Sequence, residues 1–249
     1  MRLTVVGCSG SLPGPDSAAS CYLVEADGFR LVVDLGNGAL GPLQRHVQLP
    51  EVNAVLLSHL HPDHCMDLCS YYVARRYGPG GPARRLPVHG PAGTARRMAR
   101  AYGEGADTGM PEVFDFIDVV AGDQRIGPFD VTAARMAHPV ETYGYRLTHD
   151  GAVLAYSADT GPTDTLVKLA DGADLLLCEA AFHDGRDVVP DLHLTGSEAG
   201  AHARRAGAAR LVLTHLPPWN DPDRALREAT SAYDGPVEVA RPAMTFDLP

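Results

Sequence analysis

Apolar positions in the first sixty residues come in short, nearly unbroken runs. RLTVVG (2–7), CYLVEA (21–26) and FRLVVD (29–34) have the length and the β-branched and leucine content of strands. Asp27-Gly28, between the last two, supplies residues that tolerate positive φ, the chemistry of a tight hairpin. NGALGPLQRHV (37–47) reads as a short helix and VNAVLLS (52–58) as a buried strand. At Asp63 the apolar spacing turns helical and stays so through Tyr77, with Asp63 at the N-cap. GPGGPARR (78–85) has the composition of a surface loop, LPVHG (86–90) resumes a strand, and GTARRMARAYG (93–103) is a helix closed by glycine.

Strand signals then return: FDFIDVV (114–120), FDVTAARMAH (129–138), TYGYRLTHD (142–150) and AVLAYSAD (152–159), the last pair joined at Asp150-Gly151. The final third alternates, with a helix near 163–170, strand DLLLCEA, helix 196–206, strand ARLVLTH, helix 221–233, then VEVA and MTFDL. Strands then helices, twice over, predict an α/β fold of two mixed sheets packed face to face with helices outside. No linker composition interrupts the chain, so one domain over 1–249 is expected.

Composition fits a globular chain: 249 residues, 45% hydrophobic and 21% charged. No apolar run approaches the roughly 18 residues of a membrane span, and MRLTVVGCSGSLPG lacks the pattern of a signal peptide. No membrane association and a cytoplasmic location are the expectations. Cys8, Cys21, Cys65, Cys69 and Cys178 are odd in number and form no CxxC pair, which argues for reduced, packed thiols. A net charge of −10 disfavours non-specific nucleic-acid binding, which depends on neutralising phosphates. Local charge differs: arginines 75, 76, 84, 85, 96, 97 and 100 suit either a solvated helix face or contacts with a phosphate-bearing substrate.

The candidate chemistry sits where strands end. His59, His61, Asp63 and His64 follow LLS; His138 ends VTAARMAH; Asp159 ends LAYSAD; His215 ends LVLTH; Asp34 ends LVVD. Strand ends along one edge of a sheet converge on a crevice. Imidazole nitrogen and carboxylate oxygen suit zinc, manganese or iron, and two ions about 3.5–4 Å apart need several such ligands each. Histidines two apart can serve one ion while Asp63-His64, beyond the stiff Pro62, turns to another. Packing alone does not account for such a cluster, whereas the lone His89, His149 and His202 read as ordinary surface or packed residues.

His59-Leu60-His61-Pro62-Asp63-His64, with His138, Asp159 and His215, resembles the metal-binding signature of the metallo-β-lactamase fold over nearly the whole chain. The resemblance implies an αββα sandwich with a binuclear site at its open edge. It also implies that His59, His61 and His138 hold one divalent ion, Asp63, His64 and His215 the other, and that Asp159 bridges them. Zinc is the metal expected first, with manganese and iron as alternatives. Asp34 matches the family's strand-end aspartate that orients a ligand.

VVGCSGSLPG, AYSADTGP, LCEAAF and His193-Leu194-Thr195 before a helix are similar to the ribonuclease Z branch, which includes phosphodiesterases acting on small substrates. In that branch the HxT histidine assists proton transfer, a role carried here to His193, with Glu179 either orienting it or standing as a solvated acid. Asp63 or Asp159 would align the attacking hydroxide. The tRNA-processing members carry a long arm between the third and fourth metal motifs; here 21 positions separate His138 from Asp159, room for a hairpin only. The expected function is therefore hydrolysis of a small phosphodiester, first of all a 3′,5′-cyclic nucleotide such as cyclic AMP. A tRNA 3′-endonuclease and a non-hydrolytic metal- or ligand-binding member are the alternatives. Dimers are common in the branch, so a homodimer is an expectation. The glycine-rich loop 78–81 and Trp219 either shape substrate access or, for Trp219, pack under a loop.

Overall fold

In β1 (Arg2–Gly7) Leu3 and Val5 face one side and Val6 the other, and all three are buried. The same two-residue split recurs in β2 (Cys21–Ala26), β3 (Phe29–Val33) and β4 (Ala54–Leu56). Tyr22, Val24, Leu31, Val33 and Leu56 join a cluster shared with a second sheet, whereas Cys21, Leu23, Val32 and Val55 join a cluster with helices. A sheet covered on both sides needs apolar residues at both parities, which is why these segments read as runs rather than alternations.

The computed structural model describes residues 1–79, 84–103, 110–187 and 189–249. β5 (Leu86–Gly90) and β6 (Phe114–Asp118) extend the first sheet in parallel from β4. The second sheet holds β7 (Gly122–Ile126), β8 (Phe129–Arg135), β9 (Tyr143–His149), β10 (Ala152–Tyr156), β11 (Leu175–Glu179), β12 (Leu211–Thr214) and β13 (Val237–Val239). β14 (Thr245–Asp247) returns to pair antiparallel with β1. Among the described residues the strand orders are β14-β1-β2-β3-β4-β5-β6 and β13-β12-β11-β10-β9-β8-β7. Between the sheets lie Leu3, Val5, Tyr22, Phe129, Tyr145, Leu154 and Leu177, each removal from water contributing roughly 1.5–3 kcal/mol.

α1 (Leu40–Leu43), α2 (Pro62–Cys65), α3 (Leu68–Tyr77) and α4 (Thr94–Tyr102) cover the first sheet through Leu43, Cys65, Leu68, Tyr71 and Met98. α5 (Asp164–Leu169), α6 (Gly196–Ala206) and α7 (Pro222–Ala232) cover the second through Leu166, Ala199, Ala203 and Ala225. This is the predicted two-sheet sandwich with outer helices. No helix of the described residues is long and apolar enough to cross a membrane.

Two local expectations are corrected and one strand is added. The helix beginning at Asp63 is two helices, α2 and α3, and the N-cap is His61, not Asp63; Asp63 lies inside the first turn, where its carboxylate turns to His215 instead of the backbone. The helix over 37–47 shrinks to the single turn of α1. Strand β7, GDQRI, carries no apolar alternation because it is a largely exposed edge strand, and only Ile126 is buried. The loop 78–85 and the glycine-rich stretch 78–81 fall partly on 80–83, outside the described residues. Both hairpin signals hold, with positive φ at Asp27, Gly28, Asp150 and Gly151. All five cysteines are free, and burial pushes the Cys65 thiol up to about 12.

Candidate metal centre

Six strands deliver polar side chains to one edge. Asp34 follows β3, Ser58 and His59 follow β4, His138 follows β8, Asp159 follows β10, Glu179 ends β11 and His215 follows β12. Asp34, Ala158 and His215 adopt left-handed backbone, with φ of 55°, 51° and 58°, a conformation that costs energy for a residue with a Cβ. These bends sit where each strand leaves its sheet. Two glycines let the loops close in: a Cβ on Gly36 would stand 2.0 Å from the Asp63 carbonyl oxygen, and one on Gly10 would stand 2.2 Å from that of His215.

All seven ligand-type residues singled out in the sequence meet there, in two sets. In the first, His61 Nδ1 lies 3.1 Å from His59 Nε2 and 3.4 Å from His138 Nε2, and Asp159 Oδ2 lies 3.7 Å from His59 Nε2. In the second, His215 Nε2 lies 3.1 Å from Asp63 Oδ2 and 3.2 Å from His64 Nε2, with Asp159 Oδ1 3.2 Å from His64 Nε2. Asp159 thus turns one oxygen to each set.

The donor set fits divalent cations. Asp34, Asp63 and Asp159 are three buried carboxylates within one cluster, and buried negative charge is costly unless positive charge stands against it. Burial opposes ionisation of Asp159, but His215, His64 and His59 hold it well below the usual carboxylate range; burial works likewise against Asp63, which His215 and His64 hold low. Burial pushes His59, His61 and His138 down, keeping them neutral with a lone pair to give. For His64 burial is outweighed by Asp159 and Asp34, which raise it well above the ordinary value. Asp159 Oδ1 has no hydrogen-bond partner among the described residues.

Outer partners decide which nitrogen faces inward. His138 Nδ1 lies 3.0 Å from the Leu192 carbonyl oxygen, which can only accept, so Nε2 carries the lone pair. His64 Nδ1 lies 2.8 Å from Asp34 Oδ2, and Asp34 also accepts from Ser58 N at 2.7 Å, Ser58 Oγ at 2.8 Å and Tyr156 OH at 2.7 Å. Ser58 Oγ in turn lies 3.0 Å from His59 Nδ1. Ser58, Tyr156 and Leu192 were not legible as site residues. A serine and a tyrosine in apolar strands look like packing, and a backbone carbonyl leaves no mark in sequence.

His193 and Glu179 stand beside the cluster. The Glu179 carboxylate is buried and fully engaged: Oε1 meets His193 Nδ1 at 2.9 Å and accepts from Thr160 N at 2.8 Å, while Oε2 accepts from Ala181 N at 3.2 Å and Leu194 N at 3.3 Å. It is no solvated acid, and with both oxygens occupied it orients His193. The His193 ring lies 5.4 Å from that of His215 and 5.8 Å from that of His138. Burial opposes its protonation, yet the Glu179 charge and hydrogen bond prevail and push it up to about 9.

The remaining sequence candidates lie elsewhere. Trp219 is 64% exposed, which overturns the reading of a ring packed under a loop. His202 is buried with both nitrogens engaged, by Glu198 O at 2.7 Å and Thr163 N at 3.1 Å, a packed residue as expected. Of the arginines, 84, 85, 96 and 100 are exposed, Arg76 pairs with Glu112, and Arg75 is buried over Tyr71.

A family model described as "Beta-lactamase superfamily domain" matches residues 29–216, most of the chain and all of the cluster. The chain belongs to the β-lactamase superfamily. Within it, the crystal structure of the metallo-β-lactamase fold protein YhfI from Bacillus subtilis superposes with a TM-score of 0.89 at 30% identity, covering 98% of each chain. Ribonuclease Z of Mycobacterium bovis is 32% identical over 274 residues, 96% of this chain and 95% of that one. Uncharacterized protein ML1173 of Mycobacterium leprae is 45% identical over 254 residues, 100% of this chain and 89% of that one. The protein is accordingly a metallo-hydrolase of the β-lactamase fold, related to ribonuclease Z, and family and donor set alike call for divalent metal ions.

Proposed function

We propose that this superfamily member is a phosphodiesterase using two divalent cations, zinc first, and that its substrates are 3′,5′-cyclic nucleotides such as cyclic AMP. His59, His61 and His138 would hold one cation, Asp63, His64 and His215 the other, and Asp159 would serve both through its two oxygens. Bound there, such a pair supplies Lewis-acid charge and an acidified water for attack on phosphorus. Asp63 accepts a hydrogen bond from the attacking water and so orients it. Breaking the P–O bond leaves an alkoxide, to which His193 Nε2 gives its proton while Glu179 holds Nδ1 and steadies the ring.

The observation that carries this reading is the adjacency of the Glu179–His193 pair to two donor sets that share Asp159. The short β9–β10 hairpin between His138 and Asp159 and the net charge of −10 favour a small diester over tRNA. A second reading, tRNA 3′-end cleavage by the same chemistry, draws on the likeness to ribonuclease Z. Metal-loaded protein is expected to hydrolyse cyclic AMP and bis(p-nitrophenyl) phosphate and to leave a 3′-extended tRNA uncut. Preferential tRNA cleavage would install the second reading. Two retained ions with no turnover of any of the three would leave a metal-binding protein.

Asp34→Asn tests the orienting partner. The substitution sets an NH2 group against Tyr156 OH, Ser58 and His64, and is expected to weaken metal retention about 10–100-fold. Competition with a chromophoric chelator measures it.

A further inference from the structure

A cavity of about 360 Å³ lies apart from the metal cluster, none of whose ligand-type residues lines it. Phe29 and Ala54, the first residues of β3 and β4, and Gly127, in the β7–β8 turn, form part of its wall. β3 and β4 run from there toward Asp34 and His59, five positions beyond Phe29 and Ala54, while His89 stands beside Leu56 in the β4–β5 pairing, three positions before His59.

The wall is cationic. Arg75, Arg84, Arg85 and Arg125 line it, and no carboxylate does so among the described residues, in a chain of net charge −10. Arg125 stands 3.6 Å from the exposed Asp130. Arg75 is buried, with 8% of its surface exposed; it donates through Nη2 to the Arg84 carbonyl, and its Nε has no partner among the described residues. His89, 9% exposed, likewise has an unpartnered Nδ1. Buried nitrogens are normally satisfied, and both residues line this cavity.

We propose that this cavity binds a small phosphomonoester at a site separate from the metal centre. A phosphoryl dianion brings several acceptor oxygens for Arg75 and His89, and guanidinium forks pair bidentately with such oxygens. The volume lies at the low end of small-molecule sites and suits a single metabolite instead of a polymer. His89, read from sequence as an ordinary histidine, is then a donor to the ligand, and three of the clustered arginines find their anion away from the reaction.

The test uses metal-loaded protein titrated calorimetrically with inorganic phosphate, with a nucleoside 5′-monophosphate and with citrate, alongside ¹⁵N NMR of the histidine rings. Arg85→Glu and Arg125→Glu, both at exposed positions, are expected to weaken phosphate and monophosphate binding at this site at least about tenfold. Hydrolysis of bis(p-nitrophenyl) phosphate should stay as in the parent protein. The His89 nitrogen resonance should shift with phosphate in the parent and stay put in Arg125→Glu. Unchanged phosphate affinity in both variants, an unmoved His89 resonance, or tighter binding of citrate than of either phosphate would overturn the proposal.

Discussion

Asp159→Ala is expected to lower diester hydrolysis by about four orders of magnitude, on the order of 5.5 kcal/mol of transition-state stabilisation, and to drop bound metal from two ions per chain to one or none. The size of the effect follows from position. Asp159 Oδ2 faces the set built on His59 and Oδ1 faces His64 and His215, so one truncation strips a carboxylate from both groups. Of these two sets, every other member belongs to one alone. Elemental analysis beside the rate measurement separates lost metal from lost chemistry. Thermal unfolding gives a third readout: metal at a hundred times its dissociation constant stabilises by about 2.7 kcal/mol, roughly 5–10 °C for a chain of this length, so chelator should lower the midpoint of the parent protein and barely move that of Asp159→Ala. Two retained ions and near-normal turnover would remove Asp159 from the centre.

The strands and the cluster were legible because both are written in short-range patterns. Runs such as CYLVEA and FRLVVD carry apolar residues at both parities, and FRLVVD and the strands before His59, His138, Asp159 and His215 end at the edge where the cluster appears. Strand β7 was not legible because an exposed edge strand needs no apolar face, and its partner residues Gln124 and Arg125 resemble a loop. Asp63 illustrates a different limit. Its place before an apolar helical stretch matches an N-cap, and local propensity alone would put its carboxylate on the backbone; His215, 152 positions away, competes for it and wins. The orienting hydroxyls of Ser58 and Tyr156 belong to the same class: their role depends on Asp34 being brought to them from another strand, and no spacing along the chain encodes that.

His193→Ala is the second large effect, and its signature depends on the leaving group. With cyclic AMP the turnover number should fall about 10²–10⁴-fold while both ions are retained, because general acid assistance is lost and none of the ligands of the two sets is touched. With bis(p-nitrophenyl) phosphate the loss should shrink toward about tenfold or less, since nitrophenolate departs as a stable anion that needs no proton. A histidine acting as a metal ligand would show equal losses on both substrates together with lost metal. Glu179→Gln separates orientation from proton donation. It keeps the shape of the side chain but turns an NH2 group toward backbone N–H donors at Ala181 and Leu194, costing about 1–3 kcal/mol of stability as well as the charge that holds the proton on His193. Glu179→Gln should therefore share the leaving-group dependence of His193→Ala at smaller amplitude and add a lowered unfolding midpoint, whereas equal rate losses on the two substrates would mean that Glu179 acts on the fold alone.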